Sequence, residues 1–193
     1  MVKSTGHKKI NTSVFISGYG TNLRNLIKFA KRYNSPIKIT FVVSSKKNAK
    51  GLVFSKKHNI DSKFYSFKKK KIKENDILTN LKKRNIDLIC LAGFMKILSK
   101  KFIKNFKGKI LNIHPSLLPK FKGLNTHERA LKNKEIYSGC TVHFVNSKLD
   151  SGKIILQKKV KIFKNETPKS LAKKILIQEH KLYPKAICKI FKL

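Results

Sequence analysis

The sequence predicts an α/β fold with an open, mostly parallel sheet and helices on both faces. Three observations support it. Short apolar runs of strand length recur up to residue 114, helical patterns separate them, and a glycine-rich turn follows the first run. After Pro115 the apolar residues alternate with polar ones, which predicts mixed or antiparallel strands that extend the sheet in the C-terminal half.

The first predicted unit is a buried strand over Thr12–Ser17, followed by a glycine-rich turn over Gly18–Asn22. The next apolar residues follow the i, i+3, i+4, i+7 spacing of a helix, for which Thr21 or Asn22 would be the cap. A strand, a glycine-rich turn and a helix form the opening of a βαβ unit, as in Rossmann-like sheets.

The same alternation continues along the chain. Further strands are predicted at Ile37–Val43, Lys63–Phe67, Asp87–Ala92 and Ile110–Ile113, with helices at Gly51–His58 and Lys71–Arg84. In the second half we predict a helix at His127–Asn133, strands at Thr141–Val145 and Ile155–Phe163, and a final helix. That helix should begin with Thr167 as cap and Pro168 in the first turn, run towards Phe191, and kink near Pro184.

A chain of 193 residues suits one domain with its own core, so residues 1–193 are predicted to be a single domain. Residues 1–11 are polar and basic and are predicted to form a loose tail without the features of a signal peptide. No apolar stretch approaches the roughly 18 residues of a membrane span, so no membrane partner is expected.

The net charge of +37 would by itself suggest a nucleic-acid partner. However, only four of the 46 basic residues are arginine, the side chain that matches phosphates and guanine edges best. Lysine, asparagine and isoleucine, which share AT-rich codons, are abundant together. We therefore expect no specific nucleic-acid partner, although such a field would attract anionic substrates.

The three cysteines, Cys90, Cys140 and Cys188, lie far apart, and the histidines show no metal-ligand spacing. Neither a disulfide framework nor a metal site is predicted, and a reducing, cytoplasmic setting is the simpler inference.

Four segments contain residues that could do chemistry. The first is the glycine-rich turn, in which Gly20, Thr21 and Asn22 precede a helix whose free N–H groups favour a phosphate. The turn lacks the complete dinucleotide or P-loop pattern, so it fits a single phosphate better than a dinucleotide. An ordinary strand-to-helix turn explains the same residues equally well.

The second segment contains Asn112 and His114, two residues apart at the end of a predicted strand. Their side chains share one face and reach the carboxyl edge of the sheet, where open α/β folds bind ligands, whereas Ile113 faces the core. An amide beside an imidazole suits chemistry at a carbonyl, since the amide can hold a developing oxyanion and the imidazole can transfer a proton. A histidine that caps a loop is the structural alternative.

The third segment is the turn Leu149–Gly152, where Asp150 is either a turn former or a carboxylate that orients His114 and favours its charged form. The fourth follows the strand at Asp87–Ala92 and could receive a flat heterocycle, although ordinary core packing is the alternative. Backbone groups would bond its edge, and Met95, Ile97 and Leu98 would pack on its face.

Taken in order, these motifs resemble the phosphoribosylglycinamide formyltransferase family, the folate-dependent glycinamide ribonucleotide transformylases of purine synthesis. The resemblance covers the chain from about Ser13 to about Pro184. The motifs are SGYGTN at 17–22, LAGFMKILS at 91–99, NIHPSLLPKFKG at 112–123, GCTVHFVNSKLDSGKIILQ at 139–157, and QEH at 178–180.

The resemblance implies that an amine of glycinamide ribonucleotide receives the formyl group of 10-formyltetrahydrofolate, without a metal. By resemblance, the catalytic residues are Asn112, His114 and Asp150, and Asn112 also contacts folate. The family's substrate-binding positions correspond to Gly20, Thr21, Asn22 and Glu179, and its folate-binding positions to Met95, Lys96, Ile97 and Leu98. Residues 12–114 would then form a nucleotide-binding half and residues 115–193 a folate-binding half of a cytoplasmic monomer or weak homodimer.

Two departures from the family concern folate. The arginine that contacts folate in some relatives after the third strand is missing, and a residue of the Lys68–Lys71 run could stand in for it. Lys96 replaces an arginine often found after the methionine. Because lysine lacks the planar fork of arginine, we expect weaker contacts but retained function.

Three alternatives remain. Formyltetrahydrofolate deformylase and methionyl-tRNA formyltransferase share the Asn-x-His and late Asp pattern. They are expected to carry an extra N-terminal or C-terminal domain, and usually have proline where His127 stands. From another class, a basic nucleic-acid-binding module would show binding with a steep salt dependence and a sequence preference.

Overall fold

A computed structural model describes residues 9–67 and 70–192 of the chain. Seven strands form one sheet in the order β3-β2-β1-β4-β5-β6-β7. The strands are β1 (Ile10–Ile16), β2 (Ile37–Ser44), β3 (Asp61–Phe64), β4 (Leu88–Leu91), β5 (Lys109–His114), β6 (Tyr137–Phe144) and β7 (Ile154–Lys161). The helices are α1 (Thr21–Ala30), α2 (Leu52–Lys57), α3 (Lys70–Lys83), α4 (Lys100–Asn105), α5 (Thr126–Lys132) and α6 (Pro168–Ile190).

The sheet has a parallel part and an antiparallel part, as predicted. Strands β1 to β5 all pair in parallel with their neighbours, whereas β6 pairs antiparallel with β5 and β7 antiparallel with β6. Parallel neighbours bring the carboxyl ends of β1, β4 and β5 to one edge, which is where an open α/β sheet binds its ligands.

Two apolar clusters cover the two faces of the sheet. The first contains Val14 and Ile16 of β1 together with side chains of α1 and α6, and the second contains Phe15 with side chains of α3 and α4. Successive residues of β1 thus enter opposite clusters, as the alternation of side chains along a strand requires. The strand is buried on both faces, which explains its continuous apolar sequence.

Strand β1 begins earlier than predicted. Ile10 and Asn11, assigned to the tail, pair with Ile37 and Lys38 of β2. The rest of the predicted tail, residues 1–8, lies outside the described part of the chain. Strand β3 was also placed wrongly, since it covers Asp61–Phe64 instead of Lys63–Phe67. Its residues are exposed, so no burial pattern marked its start.

Helix α4 was not predicted. It has six residues, of which only Phe102 and Ile103 are apolar, too few to show a helical period. Its start has a recognisable cap, because Ser99 accepts a hydrogen bond from the Phe102 backbone at 3.0 Å.

Helices α6 and α1 begin in different ways. The start of helix α6 confirms the prediction, with Thr167 and Ser170 forming a capping box and Pro168 in the first turn. The helix continues through Pro184. Helix α1 contradicts the predicted cap. Gly20 takes the N-cap position without a side-chain hydrogen bond, and Thr21 is already helical. Among the described helices, none has the length and apolar character that a membrane span requires.

Candidate active site

A cleft of about 1220 Å³ lies at the carboxyl edge of the parallel strands. Residues of the turns after β1, β4 and β5 line it, and α6 closes one side. This volume exceeds the range of about 300–1,000 Å³ that is usual for a pocket holding one small molecule. The cleft therefore has room for two ligands side by side.

Asn112 and His114 reach the cleft from the end of β5, as their spacing predicted, and Ile113 belongs to the apolar core. His114 is buried, and both ring nitrogens have partners. Nδ1 lies 3.4 Å from Asp150 Oδ2, and Nε2 donates to the Phe121 carbonyl at 2.9 Å. The Asp150 carboxylate on one side and the Phe121 carbonyl on the other thus hold the imidazole ring in place.

Asp150 connects the loops around the cleft, and only 9% of its side chain is exposed. Oδ2 accepts a hydrogen bond from the Gly123 backbone at 2.9 Å, and Oδ1 lies 3.4 Å from the Asn112 amide nitrogen. Asp150 has a positive φ of 44°, which a turn-forming aspartate tolerates. The turn-former and carboxylate interpretations of Asp150 are thus both consistent with its position.

His143, on β6, is a neighbour that our sequence reasoning missed. Its Nδ1 donates to the Phe144 carbonyl at 2.8 Å, and its Nε2 lies 3.2 Å from the Asn112 amide nitrogen. Burial lowers the pKa of His143, although the Phe144 carbonyl and Asp150 act in the opposite direction. A neutral His143 with its proton on Nδ1 accepts from Asn112 through Nε2, which orients the amide.

The strand register places His143 in the site. Asn112 pairs with His143, and His114 with Thr141, across the antiparallel β5–β6 pair. Paired residues share one face of the sheet, so His143 must lie beside Asn112. The register follows from turn geometry that the sequence motifs do not contain.

His127 is a second histidine of the cleft that was noted only as a family feature. It lines the cleft from α5, and burial, followed by the effect of His114, lowers its pKa. Within the described residues its buried Nδ1 has no hydrogen-bond partner. A buried nitrogen without a partner is costly and marks a position where a ligand could bind.

The glycine-rich turn after β1 supplies another part of the cleft wall. Thr21 and Asn22 line the cleft, and Gly20 has the positive φ of 73° that glycine adopts readily. Gly20 also packs against Gly51, where an added Cβ at Gly20 would lie 2.5 Å from the Gly51 Cα. The turn can therefore bring backbone N–H groups of α1 close to an anion.

Asn22 joins this turn to α6. Its amide nitrogen donates to Glu179 Oε2 at 2.7 Å, and both side chains are buried. Burial raises the pKa of Glu179 to about 7, which the hydrogen bond from Asn22 opposes. Among the described residues, Asn22 Oδ1 has no hydrogen-bond partner although it is buried. A polar ligand group could complete this pair.

The residues predicted to contact a flat heterocycle, Met95 to Leu98, differ in their burial. Met95 and Ile97 expose 62% and 63% of their surfaces and line the cleft together with Lys96, whereas Leu98 is buried. Leu98 lines a smaller recess of about 90 Å³ beside Asn112 and Asp150. The Met95 backbone is fixed by a 2.8 Å hydrogen bond to Ser17 Oγ.

The predicted site residues other than Gly20 and Leu98 thus line one cleft. Gly20 directly precedes Thr21, and Leu98 lines the adjoining recess. In this cleft the Asp150 carboxylate lies 3.4 Å from the Asn112 amide nitrogen and 3.4 Å from His114 Nδ1. Such a set can polarise a carbonyl group and move a proton. Within residues 9–67 and 70–192, no three His, Cys, Asp or Glu side chains are arranged to hold a metal ion.

The chain matches a known protein family over most of its length. The model of a family described as formyl transferase matches residues 10–187. The chain belongs to the formyl transferase family.

Its similarity to formyl transferases extends over most of the chain. It is 44% identical to phosphoribosylglycinamide formyltransferase from Haemophilus influenzae, over 93% of this chain and 85% of that protein. It is 42% identical to the human trifunctional purine biosynthetic protein adenosine-3 over 93% of this chain, which spans 18% of that longer protein. The crystal structure of phosphoribosylglycinamide formyltransferase from Brucella melitensis superposes with a TM-score of 0.89 at 41% identity, covering 95% and 96% of the two chains.

Proposed function

We propose that this formyl transferase transfers the formyl group of 10-formyltetrahydrofolate to the amine of glycinamide ribonucleotide. The products are formylglycinamide ribonucleotide and tetrahydrofolate, a step of purine (IMP) synthesis. The observation that carries the proposal is the arrangement of the cleft. Asn112, His114 and Asp150 line one cleft together with a glycine-rich turn at a helix N-terminus and exposed apolar side chains. The similarity to phosphoribosylglycinamide formyltransferases supports it.

The central residues would act on the carbonyl carbon that the amine attacks. Asn112 donates to the carbonyl oxygen as negative charge develops on it. Its 3.4 Å contact with Asp150 is near the limit of a hydrogen bond, so an arriving oxygen can compete for that N–H group. The contact between Asn112 and His143 keeps the amide oriented meanwhile.

His114 would supply the proton that the folate nitrogen takes up when its bond to the formyl carbon breaks. The amine loses a proton as its own bond to that carbon forms, so the proton balance closes over one turnover. Asp150 fixes the ring, and it can relay the proton that the amine gives up.

The glycine-rich end of the cleft would hold the ribonucleotide. Gly20, Thr21 and Asn22 present N–H groups and side chains to the phosphate, where the positive end of the α1 dipole adds to the attraction. Glu179 and the unpaired Asn22 oxygen suit the ribose hydroxyls, which both donate and accept hydrogen bonds.

The exposed apolar side chains of the cleft would hold the folate. Met95, Ile97 and Leu124 expose large apolar surfaces around it, an arrangement that a flat heterocycle would cover. Lys96 adds a positive charge for the anionic part of the molecule, and Leu98 borders the adjoining recess. When bound, the folate supplies the formyl group in activated form.

The domain organisation and setting are part of the proposal. Residues 12–114 would supply most ribonucleotide contacts and residues 115–193 would complete the folate side of a single formyltransferase domain. We expect a cytoplasmic monomer or weak homodimer whose partners are the two small substrates. A residue of the Lys68–Lys71 run remains a candidate for a folate contact. Lys68 and Lys69 of that run lie outside the described residues.

The decisive experiment is a formyl-transfer assay with purified protein, glycinamide ribonucleotide and 10-formyltetrahydrofolate. We expect formylglycinamide ribonucleotide and tetrahydrofolate in equal amounts. Formate released without transfer to the amine would contradict the proposal and indicate a deformylase instead.

The roles of two residues can be tested in the same assay. His114→Ala and Asp150→Ala should each reduce kcat by on the order of 10²–10⁴-fold, the usual contribution of general acid–base catalysis. Binding of the ribonucleotide should be retained, because its predicted contacts are made by other residues, Gly20, Thr21, Asn22 and Glu179. If either variant transfers formyl groups at the wild-type rate, the role given to that residue is wrong.

A further inference from the structure

The loop between β5 and α5 supplies the backbone groups that hold the catalytic pair. The Phe121 carbonyl accepts from His114 Nε2 at 2.9 Å, and the Gly123 N–H donates to Asp150 Oδ2 at 2.9 Å. The orientation of both side chains therefore depends on where the backbone of residues 121–123 lies.

This backbone is held in a conformation that it would not adopt readily by itself. Phe121, Gly123 and Asn125 have positive φ values of 54°, 80° and 56°. A positive φ is unusual for a residue other than glycine, and most of all for a bulky side chain such as phenylalanine. Contacts from outside the loop must therefore stabilise it.

Arg129 of α5 makes those contacts. Its Nη1 donates to the Lys122 carbonyl at 2.6 Å and lies 3.3 Å from the Leu124 carbonyl. Its guanidinium carbon lies 5.3 Å from the centroid of the Phe121 ring, a cation–π distance. One side chain thus contacts three residues that flank or contain the two groups holding His114 and Asp150.

We propose that Arg129 is a positioning residue for formyl transfer, which acts by holding the loop that orients His114 and Asp150. The proposal rests on the proposed function. Arg129 does not touch the reacting atoms, since, unlike its neighbours His127 and Glu128, it is not part of the cleft wall that the described residues form.

The chemistry of the guanidinium group explains why arginine is used here. Its planar fork carries several N–H donors in fixed directions and stacks on an aromatic ring, whereas a lysine ammonium is a compact point charge. The chain has only four arginines among 46 basic residues. An arginine at 129 therefore fits a position where two carbonyls and a ring must be contacted at once.

The test compares Arg129→Gln and Arg129→Lys with the wild type. We expect both variants to lose on the order of 10- to 100-fold in kcat, as misplaced catalytic groups do. KM for the ribonucleotide should change little. The ¹⁵N resonances of the His114 imidazole should shift in both variants, because the contacts with Phe121 and Asp150 are no longer fixed. The matched control is Arg32→Gln, at an exposed arginine after α1.

The outcomes separate this inference from the proposed function. If wild-type protein transfers no formyl group, the proposed function fails, while the His114 resonances still decide the role of Arg129. Unchanged His114 resonances in Arg129→Gln would overturn the inference. So would full recovery of kcat in Arg129→Lys, since charge alone would then suffice.

Discussion

Glu179 is a buried carboxyl group whose hydrogen-bond donor is a neutral amide, that of Asn22. Burial raises its pKa from 4.5 to about 7. Between pH 4.5 and about 7, the Glu179 carboxyl group is mostly protonated in the folded protein and mostly ionised in the unfolded chain. The stabilising contribution of this protonated group is thus complete below about pH 4.5 and is lost as the pH rises through about 7.

Glu179→Gln should remove this pH dependence. Urea unfolding of both proteins at pH 4.5–8 gives the difference between their free energies of unfolding. This difference should change by about 3 kcal/mol over the range, because the wild type becomes less stable relative to the variant as the pH rises. Comparing the two proteins cancels the histidines, which titrate in both. A difference that stays constant over this range would mean that folding does not raise the pKa of Glu179.

Residue patterns predicted part of the site. The two-residue period of a strand was enough to place Asn112 and His114 on one face and Ile113 in the core. His143 and Arg129 could not be found in this way. Their contacts depend on the β5–β6 register and on a loop with several positive φ values, which a short motif does not determine.

At the scale of elements, the close approach of two turns shapes the predicted phosphate site. An added Cβ at Gly51 would lie 2.8 Å from the Gly20 Cα and 2.9 Å from Ile16 Cδ1. Gly51→Ala should therefore push the glycine-rich turn away from the cleft and weaken ribonucleotide binding by on the order of tenfold, about 1.4 kcal/mol. Isothermal titration calorimetry would measure the change.

Gly18→Ala is the matched control for this prediction. A Cβ at Gly18 would meet no atom within 4 Å, so the same chemical change is tolerated there. Binding should remain close to that of the wild type. Equal effects of the two substitutions would show that the contact between Gly20 and Gly51 is not what shapes the turn.

The start of helix α6 provides a test of stability at the same scale. Thr167 accepts from the Ser170 backbone at 3.1 Å, and Ser170 Oγ accepts from the Thr167 backbone at 3.0 Å. Thr167→Ala should lower the free energy of unfolding by about 1 kcal/mol, measured by urea denaturation. Thr79→Ala, at an exposed position inside α3, should change it by less than about 0.5 kcal/mol. A loss confined to Thr79→Ala would contradict this account of the cap.

Some helices and strands were predicted from the sequence more accurately than others. Buried strands and the capped start of α6 were found because apolar runs and the Thr167-Pro168 pair identify them directly. The exposed strand β3 was shifted, and the six-residue helix α4 was missed, because neither buries enough residues to show a period. The cap of α1 was wrong because Gly20, with its positive φ, replaces a side-chain cap.

At the scale of the whole molecule, the charge of +37 should affect how anionic substrates arrive. Raising NaCl from about 0.05 M to about 0.5 M shortens the Debye length severalfold and screens the attraction. We expect kcat/KM for the ribonucleotide to fall by on the order of tenfold while kcat stays constant, as steady-state kinetics would measure. A parallel fall in kcat would place the salt effect on the chemical step instead.

The fold class itself followed from the order of patterns along the chain. Alternating strands and helices predicted the parallel part of the sheet, and the change to alternating polarity after Pro115 predicted the antiparallel part. The strand order needed the tertiary structure, since β1 lies between β2 and β4 although β4 follows it by more than seventy residues.

The contact between Asn22 and Glu179 joins positions that are 157 residues apart. During synthesis on a ribosome, the glycine-rich turn emerges early, but its partner on α6 emerges only near the end. At rates of about 5–20 residues per second, the nascent chain waits on the order of ten seconds for that partner. The first apolar cluster, which needs Leu171, Ile175 and Tyr183, waits equally long. A ribosome that stalls before α6 would therefore hold a chain with an uncovered sheet face, a substrate for chaperones.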